Sequence, residues 1–136
     1  MIWRLRIRQL AVVVGSIAAI TLAILAFQQI LRINGNFHTV VEGQFYRSSQ
    51  LSPAALETYI REYGIKTVLN LRGAAPGRKW YDDEQATTKS LGVAMVDFGM
   101  SATKPLTTDR ATELVAVLKD AQKPILVHCL DGADRT

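Results

Sequence analysis

Between Arg8 and Arg32 the chain carries 23 consecutive residues without a charge. Val12, Val13, Val14, Ile17, Ile20, Leu22 and Leu25 make the run apolar, and its polar members, Ser16, Thr21, Gln28 and Gln29, are neutral. As a helix rising ~1.5 Å per residue, such a run matches a hydrocarbon core about 30 Å thick. The other home for a helix apolar on all sides is the interior of a large protein. The whole chain has 136 residues, so the remainder suffices for one domain. The expectation is a basic segment over 1–9, a transmembrane anchor over 10–31, a linker over 32–36 and one domain over 37–136.

Charge gives the expected orientation. Arg4, Arg6 and Arg8 precede the run and only Arg32 follows it closely. The positive-inside rule then keeps the N-terminus cytoplasmic and sends the domain across, as in a single-pass protein of a bacterial inner membrane with a periplasmic domain. Phe27-Gln28-Gln29 offers no small-x-small cleavage site, so an uncleaved anchor is preferred to a signal peptide. The net charge of +4 has the same origin. Removing those four arginines leaves 12 basic and 12 acidic side chains. A neutral domain gives no support for nucleic-acid binding. The single cysteine excludes an internal disulfide.

From Phe37 onward the pattern is that of an α/β domain with a mostly parallel sheet flanked by helices. Residues 40–47 read as a hairpin turning near Glu42-Gly43. Ser52-Pro53 starts a helix with a hydroxyl cap and proline in the first turn, and Gly64 ends it. Leu56, Tyr59, Ile60 and Tyr63 give it an apolar face. Strands are expected at 65–71, 93–98 and 124–128. Helices are expected from Trp80 to Leu91 and from Thr107 or Thr108 to about Ala121, the latter with Leu114, Val115 and Leu118 inward. The strand at 124–128 is short and fully apolar until His128, the kind found in the middle of a sheet.

The chemistry sits directly after that strand, in His128-Cys129-Leu130-Asp131-Gly132-Ala133-Asp134-Arg135-Thr136. Ligands of open α/β sheets bind at the carboxyl ends of strands. A cysteine, five residues and an arginine suit a phosphate. The backbone of Leu130, Asp131, Gly132, Ala133 and Asp134 curls into a nest of N–H groups. Arg135 closes it with a planar fork that holds two oxygens. Gly132 supplies the freedom a sharp curve needs. The same N–H groups favour the thiolate of Cys129, the form that attacks phosphorus.

This string resembles the signature of the protein tyrosine and dual-specificity phosphatases. Phe45-Tyr46-Arg47-Ser48-Ser49-Gln50-Leu51 and Val68-Leu69-Asn70-Leu71-Arg72-Gly73 extend the resemblance, more weakly, to the compact bacterial, plant and fungal members. The resemblance implies hydrolysis of phosphate monoesters through a phosphocysteine on Cys129, with no metal and no cofactor. It implies that His128 orients the loop and tunes the thiol, and that Thr136 stabilises the thiolate and assists the second step. It also implies a helix after the loop. The chain stops at Thr136, so the expectation is a domain truncated at its C-terminus with little or no activity in this form.

The leaving oxygen needs a proton, which an aspartic acid commonly supplies in this family. Asp97 lies 32 residues before Cys129, a separation typical of the group, at a strand end beside Gly99-Met100-Ser101. Asp131 and Asp134 are rivals inside the loop, where two acids beside a phosphate are unfavourable unless one is protonated or turned away. Cys-x-Asp-Gly-x-Asp-Arg-Thr is also similar to the loop of the myotubularins, which act on phosphoinositides and in which a loop aspartate is a candidate acid. On that likeness Asp134 would be the candidate, while the expected acid is Asp97. The expected partners are accordingly a phosphorylated protein or a phosphoinositide, together with the membrane. Arg47 and Arg72 resemble family positions near the site. Arg78 and Lys79 read as a solvated loop face, Trp80 and Tyr81 as core, and His38 has no evident partner. Two rival functions remain open: sulfur transfer through a persulfide, and a phosphate-binding module without turnover.

Overall fold

The computed structural model describes residues 2–33 and 35–136, with the side chains of 9, 12–27, 29 and 35–136. It divides into two compact units, Met1–Asn34 and Gly35–Thr136. The first is a single helix, α1 (Ile2–Ile33). The expected anchor over 10–31 is corrected here. Among the described residues no helix is long and apolar enough to cross a membrane. Within 12–27 Gly15, Ser16 and Thr21 interrupt the apolar side chains, and the Thr21 hydroxyl donates to the Ile17 carbonyl at 2.9 Å. Arg4, Arg6, Arg8 and Arg32, on which the orientation rested, lie outside the described side chains.

The second unit follows the predicted order: β1 (His38–Val41), β2 (Phe45–Ser48), α2 (Pro53–Tyr63), β3 (Thr67–Asn70), α3 (Lys79–Ser90), β4 (Ala94–Asp97), α4 (Thr108–Asp120) and β5 (Ile125–His128). The caps are those the sequence names. Ser52 accepts from the Ala55 N–H, Thr107 from the Arg110 N–H, and Gly64 ends α2 at φ 63°. The sheet order is β1-β2-β5-β3-β4. The expectation of a mostly parallel sheet is corrected to a mixed one. β1 and β2 run antiparallel because their connection, with Gly43 at φ 68°, is a tight turn with no room for a crossover. β5 lies centrally, parallel to β2 on one side and to β3 on the other.

Residues alternate across this sheet and both faces are covered. Tyr46, Val68 and Leu126 point into a cluster with Leu56, Ile60 and Ile65, packed on by Tyr59 and Tyr63 of α2. Leu69, Ile125 and Val127 point the other way, against Leu114, Val117 and Leu118 of α4. Val115, expected inward, is 48% exposed, because one residue step turns it about 100° around α4 from the Leu114–Leu118 stripe that meets the sheet. Tyr46 anchors the first cluster. It is 1% exposed, its ring lies 5.5 Å from Phe37 and 4.9 Å from Tyr63, and its hydroxyl accepts from the Gly43 N–H at 3.0 Å. Tyr46→Ala is expected to cost about 3–5 kcal/mol, read as a lower urea midpoint with an unchanged m-value.

Candidate active site

One rung of the sheet aligns Ser48, His128, Asn70 and Asp97 on β2, β5, β3 and β4. Above it the chain leaves β5 and curls. The carbonyl groups from His128, at the end of β5, to Gly132 in the curl are held by the surrounding segments. The Leu71 N–H donates to the His128 oxygen at 2.9 Å, and the Gln50 N–H to the Leu130 oxygen at 3.1 Å. Asn36 Nδ2 donates to the Asp131 and Gly132 oxygens at 2.9 and 3.0 Å, and Arg47 Nη1 to the Gly132 oxygen at 2.7 Å. His128 Nδ1 lies 3.3 Å from the Cys129 oxygen. Peptides whose oxygens face out turn their N–H groups in. The Gly132 N–H accordingly reaches Cys129 Sγ at 3.2 Å.

Cys129 is fully buried. Burial pushes its thiol up, but hydrogen bonds from the backbone N–H groups of Arg135, Ala133, Gly132 and Asp131 prevail and hold it below the usual value. Gly132 makes the curl possible. It sits at φ 68°, and a Cβ there would lie 2.7 Å from the Ser48 and Ser49 backbone.

Arg135 is partly buried and Nη1 donates to the Met100 oxygen at 3.4 Å. Its Nε and the Thr136 hydroxyl oxygen are buried with no hydrogen-bond partner among the described residues. Arg72 stacks over Trp80 at 3.4 Å and donates from Nη1 to Gln50 Oε1 at 2.9 Å. Burial and then repulsion from Arg135 lower its pKa, so two guanidinium groups share the thiol's surroundings. An apolar cleft of about 330 Å³ opens beside Arg47, Arg135 and Thr136, with Phe45, Leu69 and Val127 in its wall. Leu130, Asp131, Ala133 and Asp134 are exposed on the curl.

Asp97 is placed differently from the loop residues. It lies two strands from β5, and both its oxygens already accept hydrogen bonds: Oδ1 from Asn70 Nδ2 at 2.8 Å and Oδ2 from the Tyr81 hydroxyl at 2.6 Å. The bond to Asp97, with burial behind it, pushes the Tyr81 hydroxyl up to about 12. Lys79 pairs with Asp83 in solvent.

Sequence reasoning missed four residues. Asn36 reads as linker, yet it braces the curl, and His38 Nε2 in turn meets Asn36 Oδ1 at 2.9 Å. Gln50 supports the curl through its backbone and Arg72 through its side chain. Asn70 holds Asp97. Glu84 is 3% exposed and its Oε1 lies 2.8 Å from His128 Nε2. One signal for Glu84 was available: it shares a helical stripe with Tyr81 and Thr88, which are also buried.

Comparison with known proteins agrees with this geometry. A family model described as DSP-PTPase phosphatase fused to NAD+ kinase matches residues 21–136. No curated protein matches the chain. Among solved structures, the core catalytic domain of the PP-IP phosphatase SIW14 from S. cerevisiae is 28% identical with a TM-score of 0.59, covering 71% of this chain and 57% of that one. TpbA from P. aeruginosa is 19% identical with a TM-score of 0.54, covering 74% and 57%. A second TpbA structure, in complex with pTyr, is 18% identical with a TM-score of 0.51, covering 72% and 55%. At those identities the TpbA likeness is one of fold. The chain thus spans a little over half the length of the structures it matches. With the matched family model running through the curl around Cys129, the chain belongs to the cysteine-based dual-specificity phosphatase family.

Proposed function

We propose that this chain is a phosphoric monoester hydrolase working through a phosphocysteine intermediate. The observation that carries the reading is the set of backbone N–H groups converging on the Cys129 sulfur. In this reading a phosphate occupies the nest with two oxygens on the Arg135 fork. The thiolate forms the S–P bond as the P–O bond to the leaving group breaks, and an aspartic acid protonates the departing oxygen. Water then cleaves the S–P bond with the Thr136 hydroxyl assisting, which returns the thiolate. Aryl phosphates such as phosphotyrosine are the proposed substrate class. The apolar cleft beside Arg135 supports that choice, and P. aeruginosa TpbA, of the same fold, has been seen with pTyr.

Asp134 is the proposed acid. It is exposed on the curl next to Arg135, whereas Asp97 has both oxygens engaged by Asn70 and Tyr81. Hydrolysis of p-nitrophenyl phosphate and phenyl phosphate tests both assignments. Asp134→Asn is expected to slow phenyl phosphate by ~10²-fold or more. It slows p-nitrophenyl phosphate less, since that leaving group needs little protonation. Asp97→Asn is expected to act through stability, with similar losses on the two esters. The reverse pattern returns the role to Asp97. Transfer of sulfur from thiosulfate without ester cleavage overturns the phosphatase reading.

A further inference from the structure

We infer that Asn36 is a positioning residue of the thiol site: its side-chain amide, aimed by His38, holds two consecutive peptides of the nest with their N–H groups turned toward Cys129. The inference rests on the reading of Cys129 as nucleophile. Asn36 Nδ2 donates to the Asp131 oxygen at 2.9 Å and to the Gly132 oxygen at 3.0 Å. An amide nitrogen carries two hydrogens, so both are spent on the curl. Those two oxygens belong to the peptides whose other ends are the N–H groups of Gly132 and Ala133. Both N–H groups donate to the Cys129 sulfur, the first at 3.2 Å. In a planar trans peptide the oxygen and the N–H point opposite ways. One side chain outside the loop thus sets the direction of two of the N–H groups that reach the thiol.

The aim of that amide is set from β1. Asn36 Oδ1 lies 2.9 Å from His38 Nε2. An amide oxygen only accepts, so the ring nitrogen donates. His38 faces Arg47 across the β1–β2 pair, and side chains directly opposite stand on one face of a sheet. Arg47 Nη1 donates to the same Gly132 oxygen at 2.7 Å. The cross-strand pair therefore serves one carbonyl twice, directly from Arg47 and through Asn36 from His38.

Backbone conformation alone does not account for Asn36. It sits at φ 43°, in the left-handed region that asparagine enters more readily than most residues. Glycine enters that region at less cost, but it has no amide to direct. The Asn36 side chain makes three hydrogen bonds, two of them to residues 95 and 96 positions further along the chain. The backbone on either side is fixed independently. The Ser49 N–H donates to the Gly35 oxygen at 2.7 Å, and the Phe37 ring stacks on Tyr59 at 4.1 Å. Glycine at position 36 is accordingly the substitution that removes the amide and leaves the backbone in place.

The test is iodoacetamide alkylation of Cys129 against pH, which is clean because the chain has one cysteine and which needs no phosphatase turnover. An N–H aimed at the sulfur stabilises the thiolate, so a peptide released from its hold moves alkylation to higher pH. Asn36→Gly is expected to slow alkylation at neutral pH by about tenfold, one unit of thiol titration. His38→Ala is expected to slow it about threefold, half a unit. His38→Gln, whose amide can donate in place of Nε2, is expected to stay within about twofold of the unaltered protein. Because His38 acts through Asn36, His38→Ala adds nothing when combined with Asn36→Gly. An unchanged profile for Asn36→Gly, with only a lower melting temperature, overturns the inference, and so do additive effects of the two substitutions. Should the glycine variant not fold, the two His38 variants decide. A shift in the alanine variant that glutamine restores supports the inference, and equal profiles for the two overturn it. Shifted profiles with no ester hydrolysis by any form would instead count against the proposed function and leave Asn36 in place.

Discussion

Cys129→Ser is expected to abolish hydrolysis of p-nitrophenyl phosphate, by ~10³-fold or more, while phosphate still raises the melting temperature of the variant. The two readouts separate chemistry from binding. The N–H groups of Asp131, Gly132, Ala133 and Arg135 that hold the Cys129 thiol low stay in place around a serine oxygen, and so does the Arg135 guanidinium. A bound anion therefore still favours the folded state by mass action. The serine hydroxyl is far less acidic than the thiol, so the nest does not ionise it at neutral pH, and the nucleophile is lost. Losses of this size are ordinary for removal of a nucleophile that works as part of a unit. Retention of full turnover by the serine variant would remove Cys129 from the mechanism.

Gly132→Ala is the second large expectation, and it acts on the nest. The residue sits at φ 68°, and the added carbon would come within 2.7 Å of backbone atoms of Ser48 and Ser49. The conformation alone costs roughly 1–2 kcal/mol for an L-residue. The contact is with a paired strand end, since Ser48 aligns with His128 in the β2–β5 ladder, so the loop must give way. Its displacement carries off the Gly132 N–H, 3.2 Å from the sulfur, and the Gly132 oxygen, which holds Arg47 and Asn36. A misplacement of about 1 Å at a reacting centre can cost ~10²-fold in rate. Turnover is expected to fall by at least that factor, and the alkylation profile of Cys129 to move to higher pH. An alanine variant with unchanged alkylation would mean that the curl tolerates a side chain there.

Much of the fold was legible because its signals are local. Ser52-Pro53, Gly64 and Thr107 mark helix ends through contacts within one turn. The uninterrupted apolar run of β5 marks a strand covered on both faces. The misreadings concern quantities that local pattern does not fix. A long uncharged run says nothing of how much of it is a spanning helix. The short β1–β2 connection, read as a hairpin, sets one pair antiparallel, where the alternation of strands and helices suggested a mostly parallel sheet. At the site, Cys129 and Arg135 were visible because the nest is built from consecutive residues. Asn36 and Glu84 were not, because their partners lie far along the chain: Asn36 bonds to residues 95 and 96 positions away, and a glutamate in a polar helix carries no mark of the histidine it will meet.

The outward bonds of the curl tie the reactivity of the sulfur to assembly of the sheet. Asn36 precedes β1, Arg47 lies on β2 and Gln50 follows β2, and each holds an oxygen of the curl after β5, while Leu71 after β3 holds the His128 oxygen from which the curl departs. The nest is therefore complete only once strands from both ends of the domain have met, the slowest kind of contact for a chain to close. In an incompletely folded molecule Cys129 is an ordinary thiol, weakly ionised at neutral pH and a poor nucleophile. Acquisition of the reactive sulfur thus coincides with acquisition of the native sheet. The lone cysteine is a built-in reporter of maturation, and a nascent or damaged chain is protected from the side reactions to which an activated thiolate is prone.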